Sequence, residues 1–382
     1  MNKVGLVTLY RNNFGSILQC YATKKYLENK GYTCDILSYK ESKVNQKVKN
    51  IFYNLYRSVR FKGYFNFKYK MKESFKVDLS ILHNETIYKM NKFVDEVLKP
   101  CDYTWNELKK IGNDSEYKAF IVGSDQVWNI SSGMTKGYYL EFCPKHKRVS
   151  LAPSFGISTI PSFYEAKVKK GLKGFNVLSV REETGCEIIK KIDGREAIRL
   201  PDPTILLTKN DWKFFSLNSS IKIKDKYILL HFLNKPNETA LKIINEISEK
   251  NNLKVIILSY YYANFERLKN IELYEADPYD YVKLIDEAEY VFTDSFHTTL
   301  FSINLEKLFY TFHRQYSHNC VQSSRIVDLL QRYSLSNRLI ESYDQFIAVN
   351  KLEMIIQSQK LIYERNKIEN YLSKCFEVIN NG

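Results

Sequence analysis

Glycine is scarce in this chain, 14 residues in 382, and none of it falls in a GxGxxG fingerprint or a GxxxxGK[ST] loop. A phosphate cradle built mainly from glycine backbone is therefore not expected, and an anion would have to be held by charged side chains and helix ends. HExxH, GxSxG and Asp-rich calcium loops are also missing, which removes the usual sequence marks of zinc peptidases, α/β-hydrolases and EF-hands. The seven cysteines are scattered and never form a Cys-x-x-Cys pair, so they read as reduced thiols and not as a disulfide frame or zinc site. The longest apolar runs, such as Tyr227 to Leu230, fall far below the ~18 residues of a membrane span. The opening MNKVGLVTLYRNN has too short an apolar core before Arg11 for a signal peptide. A cytoplasmic protein is expected, with a peripheral place at the inner face of the plasma membrane left open.

Acidic charge is in deficit. The chain has 57 Lys and Arg against 43 Asp and Glu, a net +14, and an anionic partner is the natural consequence. Residues 40–76 alone hold eleven Lys and Arg against two Glu, interleaved with aromatics such as Phe52, Tyr53, Tyr56 and Phe61. That mixture fits an interfacial segment on an anionic membrane surface, or a solvated insertion whose aromatics pack on the domain. No recognised nucleic-acid motif accompanies the charge, and no nucleic-acid partner is expected.

A chain of this length exceeds one ordinary core. Val4 to Tyr10 reads as a buried strand, Asn12 to Ser16 as a turn, and Ile17 to Asn29 as a helix ended by Gly31, with a second strand over Cys34 to Tyr39. Further strands at Ala119 to Val122, Arg148 to Ala152 and Phe175 to Val180 end in polar or glycine-bearing turns, the pattern of a parallel sheet with its loops at one edge. Residues 208–226 look like a linker. A second α/β unit follows, with strands at Tyr227 to Phe232, Lys254 to Leu258, Tyr290 to Thr293 and Leu308 to Phe312. Its best-signalled helix runs over 278–288, with Asp277 as cap, Pro278 in the first turn and Tyr281, Leu284, Ile285 and Ala288 on one face. The expectation is an α/β protein of two Rossmann-like domains facing across a cleft. They cover 1–215, with the basic insertion, and 216–345. A helical tail, 346–382, packs back on the first domain.

Tyr290 to Phe301, YVFTDSFHTTLF, carries the strongest local frame: strand, polar turn, helix start, with His297 at the sheet edge where anions bind. His297 can be a structural hydrogen-bonder or a functional group. Arg181, at a strand end, fits either a ligand fork or an ion pair with Glu182 or Glu183. His231, inside LLHFL, reads as a core residue, and Asp125 beside Trp128 as a turn former. Loops expected to reach the cleft carry Asn13, Gly15 and Ser16, then Ser124 and Asp125, Ser154, Ser295, Thr298 and Thr299, and Arg314 and Arg325. The set is rich in hydroxyls and arginines and poor in carboxylates, which favours an anionic donor over metal hydrolysis or two-carboxylate glycoside hydrolysis.

In order, NNFGSILQCYATKKYLENKGY, IVGSDQVWN, LAPSFG, SVREETG, LPDPT, YVFTDSFHTTLFSI and SSRIVDLL resemble the polysaccharide pyruvyl transferase family from about residue 3 to about 335. The resemblance implies a two-domain fold similar to GT-B glycosyltransferases, with 1–215 on the acceptor side and 216–345 on the donor side. It also implies transfer of an enolpyruvyl-derived unit from phosphoenolpyruvate to two sugar hydroxyls, giving a cyclic ketal and phosphate, with phosphoenolpyruvate as donor substrate and no cofactor or metal. On this reading His297 protonates or holds the donor, Arg181 and Arg325 clamp its anionic groups, and Asp125 or the Asn13, Gly15, Ser16 loop orients the acceptor. The acceptor would be a sugar of a polymeric or lipid-linked glycan, in capsule or exopolysaccharide synthesis. Many members of the family carry Arg two residues before the histidine and Gly directly after it. This chain has Ser295 and Thr298, so either Arg314 or Arg325 supplies the missing contact or the donor is held differently. Two rival readings are a GT-B nucleotide-sugar glycosyltransferase, using Glu272, Glu275 and Tyr279, and a non-catalytic glycan- or lipid-binding protein working through 40–76.

Overall fold

The computed structural model describes residues 2–11, 13–39, 84–130, 136–258, 265, 268–314, 323–346 and 351–380. The basic segment 40–76 lies outside the described residues.

The first half runs β1 (Lys3–Val7), α1 (Phe14–Asn29), β2 (Thr33–Tyr39), α2 (Asn84–Phe93), β3 (Cys101–Tyr103), α3 (Trp105–Asn113), β4 (Tyr117–Val122), β5 (Arg148–Ser150) and α4 (Ser162–Leu172). It continues through β6 (Ser179–Val180), α5 (Glu183–Asp193) and β7 (Ile198–Arg199), then α6 (Lys209–Ser216). The second half holds β8 (Tyr227–His231), α7 (Glu238–Asn251), β9 (Lys254–Ile257), β10 (Ile271–Leu273), α8 (Pro278–Glu287), β11 (Tyr290–Thr293), α9 (Phe296–Asn304), β12 (Phe309–Thr311), α10 (Ser323–Arg332) and α11 (Lys351–Asn380).

Each half builds a five-stranded sheet in the same winding, β3-β2-β1-β4-β5 in the first and β10-β9-β8-β11-β12 in the second; β6 and β7 pair separately. Among the described residues every strand pair is parallel. Central strands buried on both faces must be apolar throughout, as FIV in β4 and YILL in β8 are. In such a sheet the winding reverses beside the first strand, and the crevice at that reversal is where ligands collect. The reversal falls between β1 and β4 in one half and between β8 and β11 in the other.

Helix α1 begins at Phe14, earlier than its apolar pattern indicates, because the Asn13 side chain accepts the Ser16 N–H and caps it. The expected linker is in part a helix. Thr208 and Asp211 form a capping box that starts α6, and Trp212 and Phe215 sink into a core shared by both halves. The Phe14 ring stacks on Tyr281 of α8 at 4.6 Å, and Trp212 meets Phe301 of α9 edge-on at 4.8 Å. Helix α11 packs back on the first sheet, where the Tyr371 hydroxyl donates to the Ser150 carbonyl at 2.6 Å and Tyr32 stacks on Phe376. Among the described residues no helix is long and apolar enough to cross a membrane.

Candidate active site

Two helix starts meet where the halves touch. Helix α1 leaves β1 and helix α9 leaves β11, and the first N–H groups of each have no partner within their own helix. Ser295 caps α9 by accepting the Thr298 N–H. His297 then falls in the first turn of α9 and lies against Gly15 in the first turn of α1. A Cβ built on Gly15 would stand 2.0 Å from His297 Nδ1, so only glycine lets the imidazole occupy this place.

A buried polar seam continues from this contact. The Asp202 carboxylate, fully enclosed, accepts from Arg181 Nη1 at 2.8 Å and from the Ser124 hydroxyl at 3.2 Å through Oδ2. Its Oδ1 takes the Thr204 N–H and hydroxyl at 3.0 Å each. His297 Nε2 stands 3.6 Å from Asp202 Oδ2, within ion-pair range but too far for a hydrogen bond. Burial alone would raise the Asp202 carboxyl; the His297 ring, the Arg181 guanidinium and the Thr204 N–H outweigh it and hold it below the usual carboxylate range.

Arg181 leaves β6 and is 2 % exposed. Its Nε donates to Glu182 at 2.9 Å, its Nη1 is 3.9 Å from Asp125, and its guanidinium lies over the Phe296 ring at 4.4 Å. Burial opposes its charge, but Glu182, Asp202 and Asp125 more than compensate and fix the guanidinium in its charged form. Two donor-capable atoms of the seam remain without any hydrogen-bond partner: Arg181 Nη2 and His297 Nε2. Buried polar atoms are nearly always satisfied, so these two mark unused hydrogen-bonding capacity at the seam. The void beside Arg181 is only about 10 Å³.

Asp125 stands on the other side of the seam. It adopts a left-handed backbone (φ 60°) in the turn after β4 and accepts the Ser16 hydroxyl at 2.5 Å. The structure thus brings Gly15, Ser16, Ser124, Asp125, Arg181 and His297 together. Asn13 serves as the α1 cap, and the Ser154 N–H donates to the Asp125 carbonyl at 2.8 Å, supporting the turn from behind.

Among the other expected residues, Thr298, Thr299 and Arg314 turn elsewhere. The Thr298 hydroxyl is enclosed between His231 Nδ1 at 2.6 Å and the Tyr281 hydroxyl at 2.9 Å. The Thr299 hydroxyl donates to the Ser295 carbonyl at 2.9 Å. Both hydroxyls knit α9 to its own domain. Arg314 Nε donates to the Asp294 carbonyl at 3.0 Å, beside an Asp294 carboxyl that burial pushes up against the pull of Arg314 and of the Leu233 and Asn234 N–H groups. Arg325 is buried in α10, the helix whose last turn supplies Arg332. Arg332 donates to the Arg181 carbonyl at 2.9 Å and to Glu364 of α11 at 3.0 Å. Glu272 pairs with Lys254, and Tyr279 packs into the rings of Phe93 and Phe215. Among the described residues no group of three or more His, Cys, Asp or Glu side chains is placed to hold a metal ion.

Reading the sequence missed Asp202, Arg332 and Gln19. Gln19 is a buried amide whose Nε2 donates to the Thr8 hydroxyl, the Leu9 carbonyl and the Ser16 carbonyl, while its Oε1 accepts the Ser124 N–H.

The family described as polysaccharide pyruvyl transferase matches this sequence over residues 13–312, a span that contains every side chain of the seam. The chain belongs to that family. Pyruvyl transfer in polysaccharide synthesis, a transferase activity on a glycan, is accordingly its general function. No curated protein matches the chain. Among solved structures, a putative UDP-N-acetylglucosamine 2-epimerase from Listeria monocytogenes is 10% identical, with a TM-score of 0.50 over 96% of this chain and 90% of that one. A glycosyltransferase from Rickettsia africae is 11% identical, with a TM-score of 0.49 over 100% and 99%. The fold is of the GT-B type, and the two sheets of like winding agree with it.

Proposed function

We propose that the protein transfers a pyruvyl unit from phosphoenolpyruvate to two hydroxyls of one sugar, in a cell-surface polysaccharide or its lipid-linked precursor, leaving a cyclic ketal and free phosphate. The observation that carries this reading is the pair of buried, unpartnered atoms Arg181 Nη2 and His297 Nε2 at the meeting of two helix starts. Phosphoenolpyruvate brings a carboxylate and a phosphate, and a guanidinium with helix N-termini is suited to both.

In the proposed sequence His297 gives a proton to the donor methylene, and the first sugar hydroxyl adds to C2. The second hydroxyl then displaces phosphate from C2. Of the two hydroxyl protons released, one restores His297 and the other leaves with phosphate. Arg181 and the first turns of α1 and α9 bear the charge that builds on the phosphate. We place the reaction on the cytoplasmic side, with a lipid-linked acceptor met at the inner leaflet; the basic, aromatic composition of 40–76 supports that placement.

Gly15→Ala is the discriminating variant. Alanine suits a helix better than glycine, but its methyl must displace the imidazole, so the variant is assayed once its circular dichroism matches that of the unaltered protein. Phosphate release from phosphoenolpyruvate over a panel of sugar acceptors is expected to fall on the order of 100-fold, matching His297→Gln, because small misplacements of a reacting group cost that much. Near-normal release in both variants would show that the seam is not the donor site.

A further inference from the structure

A second recess lies one loop away from the seam. It is a cavity of about 230 Å³ at the C-terminal ends of β1 and β2, walled chiefly by Thr8, Tyr10, Arg11, Ser38, Tyr39 and Tyr138. Its walls are held in place from outside. Trp105 meets the Tyr39 ring edge-on at 5.6 Å, and the Tyr138 carbonyl accepts the indole N–H of Trp128 at 2.9 Å. Arg11, at the mouth, is tied to Asn91 at 3.3 Å and Asp95 at 3.2 Å and lies over the Tyr10 ring at 5.5 Å.

Three aromatic rings with hydroxyls between them, and one arginine whose guanidinium is turned to Asn91 and Asp95, make a site for a neutral, hydroxylated ring. The volume falls below the roughly 300 Å³ at which pockets for larger ligands begin, so it suits one sugar ring and excludes a sugar nucleotide.

The cavity and the seam share a wall. Residues Thr8 to Arg11 line the cavity, and the same stretch leads into the first turn of α1, where Gly15 touches His297 and Ser16 holds Asp125. The Thr8 hydroxyl donates to the Ser124 carbonyl at 3.2 Å, one residue before Asp125. Tyr138 reports the same closeness: burial pushes its hydroxyl up to about 12, helped by Tyr10 and by the Asp125 carboxylate.

Resting on the transfer reading above, we propose that this cavity is the acceptor subsite. One sugar ring seats among Tyr10, Tyr39 and Tyr138 with its hydroxyl pair toward Asp125, and Asp125 takes the proton of the attacking hydroxyl. The hydroxyl oxygen contributes its electron pair to the new bond at the donor C2, while the donor double bond takes the His297 proton at its methylene. When the second hydroxyl displaces phosphate, the C2–O bond electrons leave with it. The phosphate collects the proton from Asp125, and the second hydroxyl's proton returns to His297. Both residues end as they began, and no further reactant is consumed.

Ser38→Trp fills the cavity without touching the seam, and Tyr39→Leu removes one ring face if the tryptophan is not accommodated. Saturation-transfer NMR on the full chain with the p-nitrophenyl glycosides of galactose, glucose, mannose and N-acetylglucosamine reads the subsite; thermal shift with phosphoenolpyruvate reads the seam. At least one glycoside is expected to bind the unaltered protein and to weaken 10-fold or more in either folded variant, while the phosphoenolpyruvate shift persists. Unchanged glycoside binding in the variants, or no binding of any glycoside to the unaltered protein, overturns the subsite. Loss of glycoside binding on filling the cavity, in a protein that phosphoenolpyruvate never shifts, leaves the subsite standing and removes the donor reading instead.

Discussion

His231 and His297 lie on neighbouring elements, and their surroundings give them opposite tasks. His231 ends β8, buried, with Nδ1 bonded to Thr298, and burial together with the positive fields of Arg314 and His297 pulls its pKa from 6.5 down to about 3. It stays neutral in the fold, whereas the unfolded chain protonates it below about 6.5. The unfolded state then binds the extra proton, so this residue's contribution is complete above pH 6.5 and drains as pH falls toward 3. Urea midpoints measured at pH 7, 6, 5 and 4.5 should decline in the unaltered protein, and His231→Gln should flatten that decline. An identical pH slope in both would mean that the buried imidazole is not what titrates. At this scale Arg181 was open to two readings, ligand fork or ion pair, and the seam makes it a partner of Glu182 and Asp202 while leaving Nη2 unsatisfied.

Helix α1 is the element on which the site depends, and Gln19 shows how. One side chain joins the strand-end loop, the first turn of α1 and the turn after β4, with its amide hydrogens donated to carbonyls and a hydroxyl and its oxygen receiving the Ser124 N–H. Gln19→Leu fills the space but leaves those groups buried without partners. Stability to urea should drop by about 2–3 kcal/mol, within the range for orphaned buried polar groups. A loss below ~0.5 kcal/mol would mean that water or a rearranged loop satisfies them. The elements themselves were largely legible in the sequence. A central parallel strand must be apolar on both faces, so β4, β8 and β11 stand out, and the Asp277-Pro278 start of α8 states its own boundary. Helix α6 was hidden because charged and polar residues dominate its stretch, although the Thr208 and Asp211 pair was the available sign. Asp202 reads locally as an ordinary cap of the Pro203–Leu206 turn, one oxygen on Thr204; that its other oxygen meets Arg181 and Ser124 is a tertiary fact. The contact of Gly15 with His297 joins two halves of the chain, and no local pattern encodes it.

At the scale of the molecule the two halves share one apolar core. Interfaces between domains of one chain are usually modest and polar. Here a single apolar cluster runs from Val4, Ile17 and Leu18 of the first half through Trp212 to Tyr281, Leu300 and Phe301 of the second. Helix α11 fastens both: Arg365 donates to the Ile205 carbonyl and to Asn304, Tyr371 to Ser150, and Glu364 receives Arg332 from α10. Separating the halves would expose that cluster and break those bonds together. Unfolding should then be one cooperative event. The three tryptophans lie in the first half and in α6, so their fluorescence reports on one sheet and the shared core, while far-UV circular dichroism also weighs the helices of the second half. The two signals should follow a single urea transition with one midpoint. Two separated midpoints, with the fluorescence change preceding or trailing the dichroism, would show that the halves melt independently and that a hinge is open to the enzyme after all.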